Sequence, residues 1–149
     1  MVRAVVQRVA RASVTVEGER IGAIDRGLLI LVGIAEGDND EDVNKVADKI
    51  SGLRIFEDSE GKMNLSAADV GGAILAVSQF TLLADLRKGR RPSFIKAAAP
   101  DVGRLLYEKF AERLEEHGYA VDRGRFGAHM LVAIENDGPV TIIVDSAEL

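Results

Sequence analysis

Glycine and proline interrupt the most strand-like segment of this chain. Apolar, mostly β-branched residues crowd positions 132–134 and 140–144, yet Gly138 and Pro139 stand between them. Glycine weakens a strand and proline cannot donate to a ladder, so the pair marks a turn, a bulge or an edge. The pattern predicts two closing strands, at roughly 130–135 and 140–144. A hairpin turn around "NDG" is the default connection between them.

Other segments also have strand patterns. Apolar residues partly alternate along 2–16, a hairpin turn is expected around Gly18, and "GLLILVGI" has the character of a buried strand. We expect a short strand at "LRIF", a loop at "GKMNLS", and a strand along "GAILAVSQFTLLA" that turns polar midway. Strands therefore outnumber helices in this chain.

Two segments have the periodicity of amphipathic helices. The first follows Asn39 or Asp40 as its N-cap, and its apolar residues recur at i, i+3, i+4 and i+7: Val43, Val46, Ala47 and Ile50. The second is expected at 101–117, before Gly118, with one apolar face: Val102, Leu105, Leu106, Phe110 and Leu114. The sequence predicts an α/β domain whose sheets are covered by two helices on one side.

Length and composition bound the class of protein. A chain of 149 residues fits a single domain, 1–149, with a normal core. Its longest apolar run, Leu28–Ala35, is far too short to span a bilayer. Cysteine is absent, which excludes disulfides, thiolate catalysis and zinc–thiolate sites and suits a reducing compartment. We expect a cytoplasmic protein that does not enter the membrane.

The charge is distributed unevenly. A net charge of −5 argues against a generally basic nucleic-acid binder, but "DLRKGRRPSFIK" at 85–96 has five basic residues and one acidic residue. Local phosphate binding and a merely solvated loop both remain open for this segment.

Familiar catalytic motifs fail on inspection. The acidic residues at 38–42 imitate a calcium loop but lack its glycine and its final glutamate, and "SFIK" lacks the other motifs of penicillin-binding enzymes. Neither a metal site nor a conventional nucleophile is apparent. Ser78, Gln79 and Thr81 interrupt an apolar strand, and composition slightly favours a strand leaving the core over the wall of a polar pocket.

Two short motifs together resemble the signature of the D-aminoacyl-tRNA deacylase family: "SQFTL" at 78–82 and "NDGPVT" at 136–141. Further segments agree in order along nearly the whole chain, among them "VQRVARASVTVEG", "FEDSEGKMNLS", "RRPSFIKAAAP" and "GRFGAHM". The resemblance implies a three-layer ββα sandwich that works as a homodimer without a cofactor or metal. It implies hydrolysis of the ester that joins a D-amino acid to the 3′-terminal adenosine of tRNA.

The resemblance also assigns a role to the Gly138–Pro139 pair. In this family the bond is cis, and its loop enters the partner subunit's active site, where the main chain rejects L-aminoacyl-tRNA. Such a filter does not exclude glycine, so mischarged glycyl-tRNA is an expected second substrate. Arg8 resembles the family arginine that braces this loop, whereas an ordinary strand arginine would lie at the surface.

The remaining site residues follow from the same resemblance. The main-chain N–H groups of Phe80 and Thr81 would form an oxyanion hole, and the 2′-hydroxyl of the substrate would activate the water. Ser78 and Gln79 would shape the adenosine pocket. Phe126 and Met130 would line this pocket, although as apolar residues they would equally suit a core. Four basic residues would bind tRNA phosphates: Arg87, Lys88, Arg90 and Arg91.

Two other function classes remain open. One is a tRNA-binding or proofreading module of the same fold with lost or altered activity, against which the intact "SQFT" and "GPVT" weigh. The other is an esterase with Thr81 or Ser78 as nucleophile, which requires a base that the sequence does not reveal.

Overall fold

A long, bent first strand organises the chain into two β layers. The computed structural model describes all residues, 1–149. Its strands are β1 Arg3–Val16, β2 Glu19–Ile24, β3 Gly27–Gly33, β4 Phe56–Glu57, β5 Met63–Leu65, β6 Ala73–Ser78, β7 Val121–Arg123 and β8 Leu131–Asp145. Its helices are α1 Asp40–Ser51 and α2 Pro100–Glu116, with 3-10 turns at Phe80–Leu83 and Ser146–Glu148.

Each half of β1 belongs to a different layer. Residues 3–9 pair antiparallel with β3, which continues through parallel β6 to β7, whereas residues 12–16 pair with β2. β2 then lies over the far strands, since the Ala23 N–H donates to the Asp122 carboxylate at 2.9 Å. Eight buried side chains fill the space between the layers: Val9, Ala12, Val14, Val16, Ile24, Leu29, Leu75 and Val77.

Both helices pack on one side of the sheet, as predicted. Asn39 is the N-cap of α1, and its side chain and that of Asp42 form a capping box. The four predicted apolar residues of α1 are buried in one cluster with Leu106, Phe110 and Leu114 of α2. The architecture is thus helix layer, sheet, second sheet, in agreement with a three-layer ββα sandwich.

The predicted apolar face of α2 was wrong at two positions. Val102 and Leu105 are 45% and 56% exposed, while Tyr107 and Ala111 are buried. The buried stripe is rotated by part of a turn and includes Gly103, which packs against the ring of Phe126.

Short strands were the weakest part of the sequence-based prediction. β4 is Phe56–Glu57 instead of 53–56, and it pairs with β5, which lies in the segment expected to be a loop. β7 was not predicted, because three residues are too few to show a periodicity.

The prediction of one strand along 72–84 was also wrong. β6 ends at Ser78, and the chain enters a 3-10 turn at Phe80. The last ladder bond is donated by Gln79 N–H to the Val32 carbonyl at 2.8 Å. The turn then packs onto β3 at Gly33, where a Cβ would lie 2.6 Å from Leu83 Cδ2 and 2.8 Å from the Gln79 carbonyl oxygen.

β8 is one strand with a bulge, and the hairpin was wrong. Thr141 pairs with Gln7 and Asn136 pairs with Val9, so both halves of β8 follow β1 in one direction. The four residues Asp137–Val140 are looped out opposite Arg8, and we call them the Gly-Pro loop. The Gly138–Pro139 bond is cis, as the resemblance implied.

Apolar residues on both sides of this loop suggested a turn, but they mark two stretches of one ladder. Asn136 closes the loop, since its Oδ1 accepts from Val140 N–H at 2.8 Å and its Nδ2 donates to Thr141 Oγ1 at 3.0 Å.

None of the helices has the length and apolar character that crossing a bilayer requires.

Candidate active site

A pocket of about 270 Å³ opens where β6 meets the 3-10 turn. Its walls come from Ser78–Phe80, from the segment 126–130, and from residues of β3's end, α2 and β8. Five predicted site residues line it: Ser78, Gln79, Phe80, Phe126 and Met130. The segment "GRFGAHM", which contains the predicted lining residues Phe126 and Met130, also contributes Gly127, Ala128 and His129 to the lining.

A larger concavity, about 540 Å³, lies between β1, β2 and β8. None of the predicted site residues lines it. Two of its lining residues, Arg11 and Glu135, form an ion pair with 3.1 Å between Nε and Oε2. We therefore take the smaller pocket as the candidate active site.

The 3-10 turn presents main-chain donors at the edge of this pocket. The first N–H groups of a helix have no partner inside it, and those of Phe80 and Thr81 donate to no other group of the chain. Both residues are exposed. Phe80 lines the pocket and Thr81 follows it just outside the lining. Two adjacent free donors beside a pocket are what an oxyanion hole requires.

The pocket floor is held by packing against α2. The Phe126 ring lies 3.5 Å from the position of a Cβ on Gly103, and its centroid lies 6.2 Å from that of Tyr107. Tyr107 donates from its hydroxyl to the Ala76 carbonyl at 2.7 Å, and burial raises its pKa to about 12. The hydroxyl is thus a fixed structural donor to β6, the strand that ends at the pocket.

The hydroxyl groups of the site are not hydrogen-bonded to a base. Thr81 Oγ1 accepts from Gln79 Nε2, and neither Ser78 nor Thr81 forms a hydrogen bond with a histidine or a carboxylate. His129 is the only titratable side chain in the lining. The sequence gives no signal for His129, because the two histidines of the chain are isolated and form no motif. No three His, Asp or Glu side chains of the chain are grouped as a metal ion would need.

Arg8 is not a surface arginine. It is 6% exposed, and it donates from Nε to the Asp137 carbonyl at 2.9 Å and from Nη1 to the Ile55 carbonyl at 2.8 Å. A Cβ on Gly138 would lie 3.1 Å from its Nη2, and φ at Gly138 is +134°. Only glycine fits that conformation at such close range. The buried Arg8 side chain therefore holds the Gly-Pro loop in place.

The Gly-Pro loop does not line the pocket of its own chain. None of the residues 137–140 is among the lining residues, and Pro139 is exposed. Arg8 pairs across the ladder with Leu28, whereas the pocket adjoins the other end of β3, next to Gly33. The structure thus separates two groups of residues that the resemblance joins in one site.

The predicted phosphate-binding residues project from a hairpin-like loop. Asp85 and Ser93 exchange main-chain hydrogen bonds of 2.8 and 3.0 Å, and the residues between them form what we call the basic loop, 86–92. Arg87 bonds Asp85 at 2.7 Å and holds the pKa of that carboxyl well below its usual range. Lys88, Arg90 and Arg91 are exposed and have no ion-pair partner within the chain.

Comparison with known proteins defines the class first. Curated relatives named D-aminoacyl-tRNA deacylase are 58% identical in Thermotoga petrophila, over 99% of both chains, and 60% identical in Brevibacillus brevis, over 97% of this chain and 99% of that one. The class is that of the deacylases, which are hydrolases. A family model described as D-Tyr-tRNA(Tyr) deacylase matches residues 5–145. The chain belongs to this family.

Solved structures agree with the fold. One titled c-Myc DNA unwinding element binding protein is 45% identical, with a TM-score of 0.90 over 96% of this chain and 97% of that one. Another, titled a probable eukaryotic D-amino acid tRNA deacylase, has a TM-score of 0.83 at 19% identity over 97% of this chain and 98% of that one, and it supports the fold alone.

Proposed function

We propose that this deacylase hydrolyses the ester bond of D-aminoacyl-tRNA, releases the free D-amino acid and the tRNA, and spares L-aminoacyl-tRNA. The observation that carries the proposal is the pair of free main-chain donors, Phe80 and Thr81, at the edge of a pocket without a nucleophile–base pair. Charged tRNA is a cytoplasmic substrate, so a cytoplasmic location is part of the proposal.

An aminoacyl ester is already activated, and its hydrolysis needs little from side chains. Water adds to the ester carbonyl, and the two N–H groups stabilise the negative oxygen of the tetrahedral intermediate. The substrate's 2′-hydroxyl accepts the proton of the attacking water. The bond from the carbonyl carbon to the 3′ oxygen then breaks, and the 2′-hydroxyl passes a proton to the departing 3′ oxygen, so the hydroxyl ends the reaction in its original state. In this scheme Ser78 and Gln79 position the adenosine, and Phe126 and Met130 shape the pocket.

The chirality filter in this proposal comes from a second copy of the chain. The Gly-Pro loop lies outside its own pocket, and Arg8 holds it in a fixed position. β8 has three exposed apolar residues, since Leu131 is 72%, Ile134 is 39% and Ile143 is 67% exposed. In the proposed homodimer β8 lies at the interface and each Gly-Pro loop enters the partner's pocket, so the active site would need both chains.

Such a filter works by occupying space. An enzyme that accepts many D-amino acids cannot recognise one side chain, so it must discriminate at the α-carbon. Main-chain atoms of Gly138 and Pro139 would fill the volume that an L-side chain needs, while a D-side chain would point away. Discrimination would rest on a clash with the wrong substrate. Glycine has no side chain, so the filter would admit glycyl-tRNA.

Kinetics on three charged tRNAs test the proposal. Purified enzyme should hydrolyse D-alanyl-tRNA and glycyl-tRNA at measurable rates and spare L-alanyl-tRNA. A methyl group in an apolar pocket discriminates by only about 10–200-fold, so a larger ratio of glycine to L-alanine supports a rigid main-chain clash. Rejection of glycine as firm as that of L-alanine would show that the site reads a D-side chain directly.

Dilution tests the shared site. Specific activity should fall as the enzyme is diluted through the dissociation range of the dimer, which sedimentation measures independently. Constant specific activity in a demonstrated monomer would refute loop insertion. Covalent labelling of Ser78 or Thr81 by a phosphonate ester would favour the esterase mechanism instead.

A further inference from the structure

An aromatic pair joins the rim of the pocket to the basic loop. The rings of Phe80 and Phe94 meet edge to face, with centroids 5.0 Å apart and an interplanar angle of 75°. Phe80 lines the pocket, yet 55% of it is exposed, and Phe94 is half-buried behind it. Phe94 follows Ser93, which closes the base of the basic loop.

Apolar exposure is concentrated around this pair. Leu86, the first residue of the basic loop, and Ile95, two residues after Ser93, are 65% and 79% exposed. Single exposed apolar residues need no explanation. Here they are close in sequence to Phe94 and to three cations without ion-pair partners in the chain: Lys88, Arg90 and Arg91. Stacking aromatics beside a positive backbone-binding segment are the features with which proteins hold single-stranded nucleic acid.

The dimensions suit the end of a nucleic acid that enters the pocket. The basic loop has seven residues between its bridging positions, so its tip reaches at most about 12 Å from the bridge. That reach begins next to the pocket rim, because Phe94 directly follows Ser93 and its ring contacts Phe80. A loop of this length is long enough to meet the phosphates that precede a terminal nucleotide bound in the pocket.

We propose that Phe80 and Phe94 form a stacking platform for the unpaired nucleotide that precedes the terminal adenosine of the tRNA. Phe80 presents its exposed ring face to the base, Phe94 supports that ring through its edge-to-face contact, and the cations of the basic loop bind the adjoining phosphates. The inference rests on the proposed function, because the terminal adenosine must occupy the pocket for its neighbour to reach the rim.

Inhibition of the wild-type enzyme tests the platform without any variant. Hydrolysis of D-tyrosyl-adenosine is measured with three competitors: adenosine monophosphate, the trinucleotide CCA, and the same trinucleotide with an abasic middle position. CCA should inhibit at least about fivefold more strongly than the abasic form, since stacking on an aromatic side chain contributes about 1–3 kcal/mol per base. Equal inhibition by the intact and abasic trinucleotides would overturn the proposal.

Substitution of Phe94 tests the same contact from the enzyme side. The quantity measured is the ratio of kcat/KM for D-tyrosyl-tRNA to kcat/KM for D-tyrosyl-adenosine, which has no preceding nucleotide. Phe94→Leu should lower this ratio about 2- to 12-fold, because it removes the edge-to-face support of Phe80, while Phe94→Tyr, which keeps the ring, should retain it. Leu105→Ser, at an exposed apolar residue of α2, is the matched control and should also retain it.

The two proposals fail in different ways. A merely structural role of Phe94 lowers activity on both substrates equally and leaves the ratio unchanged, and that outcome overturns the platform alone. Wild-type enzyme that leaves D-tyrosyl-tRNA intact would overturn the proposed function itself. If a protein partner bound this surface instead, the ratio of the kcat/KM values and the inhibition by the trinucleotides would not depend on the middle base. That outcome would also overturn the platform.

Discussion

Arg8 donates from Nε to the main-chain oxygen of Asp137 at 2.9 Å, and this bond ties a buried cation to the Gly-Pro loop. The same guanidinium also bonds the Ile55 carbonyl at 2.8 Å and lies 5.9 Å from the centroid of the Phe56 ring. One side chain thus connects the loop to β4 and to the helix-side core, in which Phe56 is buried.

Arg8→Met should destabilise the protein by about 2–4 kcal/mol, because a buried carbonyl and a partly buried one lose charge-assisted hydrogen bonds. Denaturant unfolding of wild type and variant measures the difference. Arg11→Met is the matched control on the same strand. Arg11 is exposed and paired with Glu135 at 3.1 Å, and such pairs contribute about 0–1 kcal/mol. Equal destabilisation by the two substitutions would contradict the bracing role.

Thr81→Ala should retain substantial activity, because in the proposed mechanism its N–H acts and its hydroxyl does not. The hydroxyl accepts from Gln79 and contacts no base. Single-turnover hydrolysis of D-tyrosyl-tRNA gives the rate. A loss beyond about a thousandfold would indicate a chemical role for the hydroxyl.

Phe80→Pro should remove an oxyanion donor without breaking any hydrogen bond within the chain. Phe80 is the first residue of the 3-10 turn, where proline is tolerated, and Gln79 before it has φ −143° and ψ 81°, outside the helical region that proline disfavours. We expect kcat to fall about 10²–10³-fold relative to Phe80→Leu, which also lacks the ring but keeps the N–H. Similar kcat values for the two variants would argue against the oxyanion hole.

Gly33→Ala should lower kcat by displacing the 3-10 turn. The new methyl would meet Leu83 Cδ2 and the Gln79 carbonyl at under 3 Å, and overpacking of this kind costs about 1–3 kcal/mol. Gly52→Ala is the control, since nothing lies within 4 Å of a Cβ at Gly52. Kinetics at saturating D-tyrosyl-tRNA compare the two. Unchanged kcat in Gly33→Ala would mean that the position of the turn does not limit the reaction.

Neutralising Lys88, Arg90 and Arg91 to glutamine should raise KM for tRNA and flatten its salt dependence. Each lost phosphate contact should reduce the log–log slope by about 0.7–0.9. Arg87→Gln is expected to change the slope less, because Asp85 already pairs with that guanidinium at 2.7 Å. Titration of tRNA binding at several salt concentrations provides the slopes, and an unaltered slope in the triple variant would identify the basic loop as solvated surface.

Asp48 should contribute to stability that is lost in acid. Hydrogen bonds from Arg113 and His117 lower its pKa from 3.8 to about 2. The contribution is therefore complete above the unfolded-state pKa and disappears as the pH falls from about 4 to about 2. Asp48→Asn should lower Tm near neutral pH by only about 1–3 °C, because the carboxylate is 42% exposed and screened. This difference from wild type should vanish below about pH 2, whereas a constant difference would contradict the linkage.

Elements with a repeating apolar pattern were predictable from the sequence. Elements whose ends depend on a single tertiary contact were not. The four apolar residues of α1 recur at helical spacing, and Asn39 is a strong N-cap, so that helix was predicted correctly. The end of β6 depends on the space above Gly33, which involves a residue distant in sequence. Nothing local to Ser78–Ala84 indicates it.

The candidate site shows the same division. The polar residues after Val77 were visible as an interruption, but their free N–H groups follow from the 3-10 turn and have no sequence signal of their own. The looped-out position of Gly138 and Pro139 depends on the register of β8 against both halves of β1. Local sequence favours a hairpin there, and only the family resemblance pointed to a different conformation.

The two free N–H groups at Phe80 and Thr81 have a consequence for genetics. A donor that belongs to the main chain is present in nineteen of the twenty amino acids, so ordinary substitution leaves it in place. A saturation scan of this enzyme should therefore find that kcat tolerates loss of the Thr81 hydroxyl, while substitutions of Ser78 and Gln79 act mainly on substrate binding. Its sharpest losses should fall where backbone shape is set, at prolines introduced into the turn and at side chains introduced at Gly33 and Gly138. Residues without reactive side chains, such as Gly33 and Gly138, would then determine the activity more strongly than the residues with hydroxyl or amide groups.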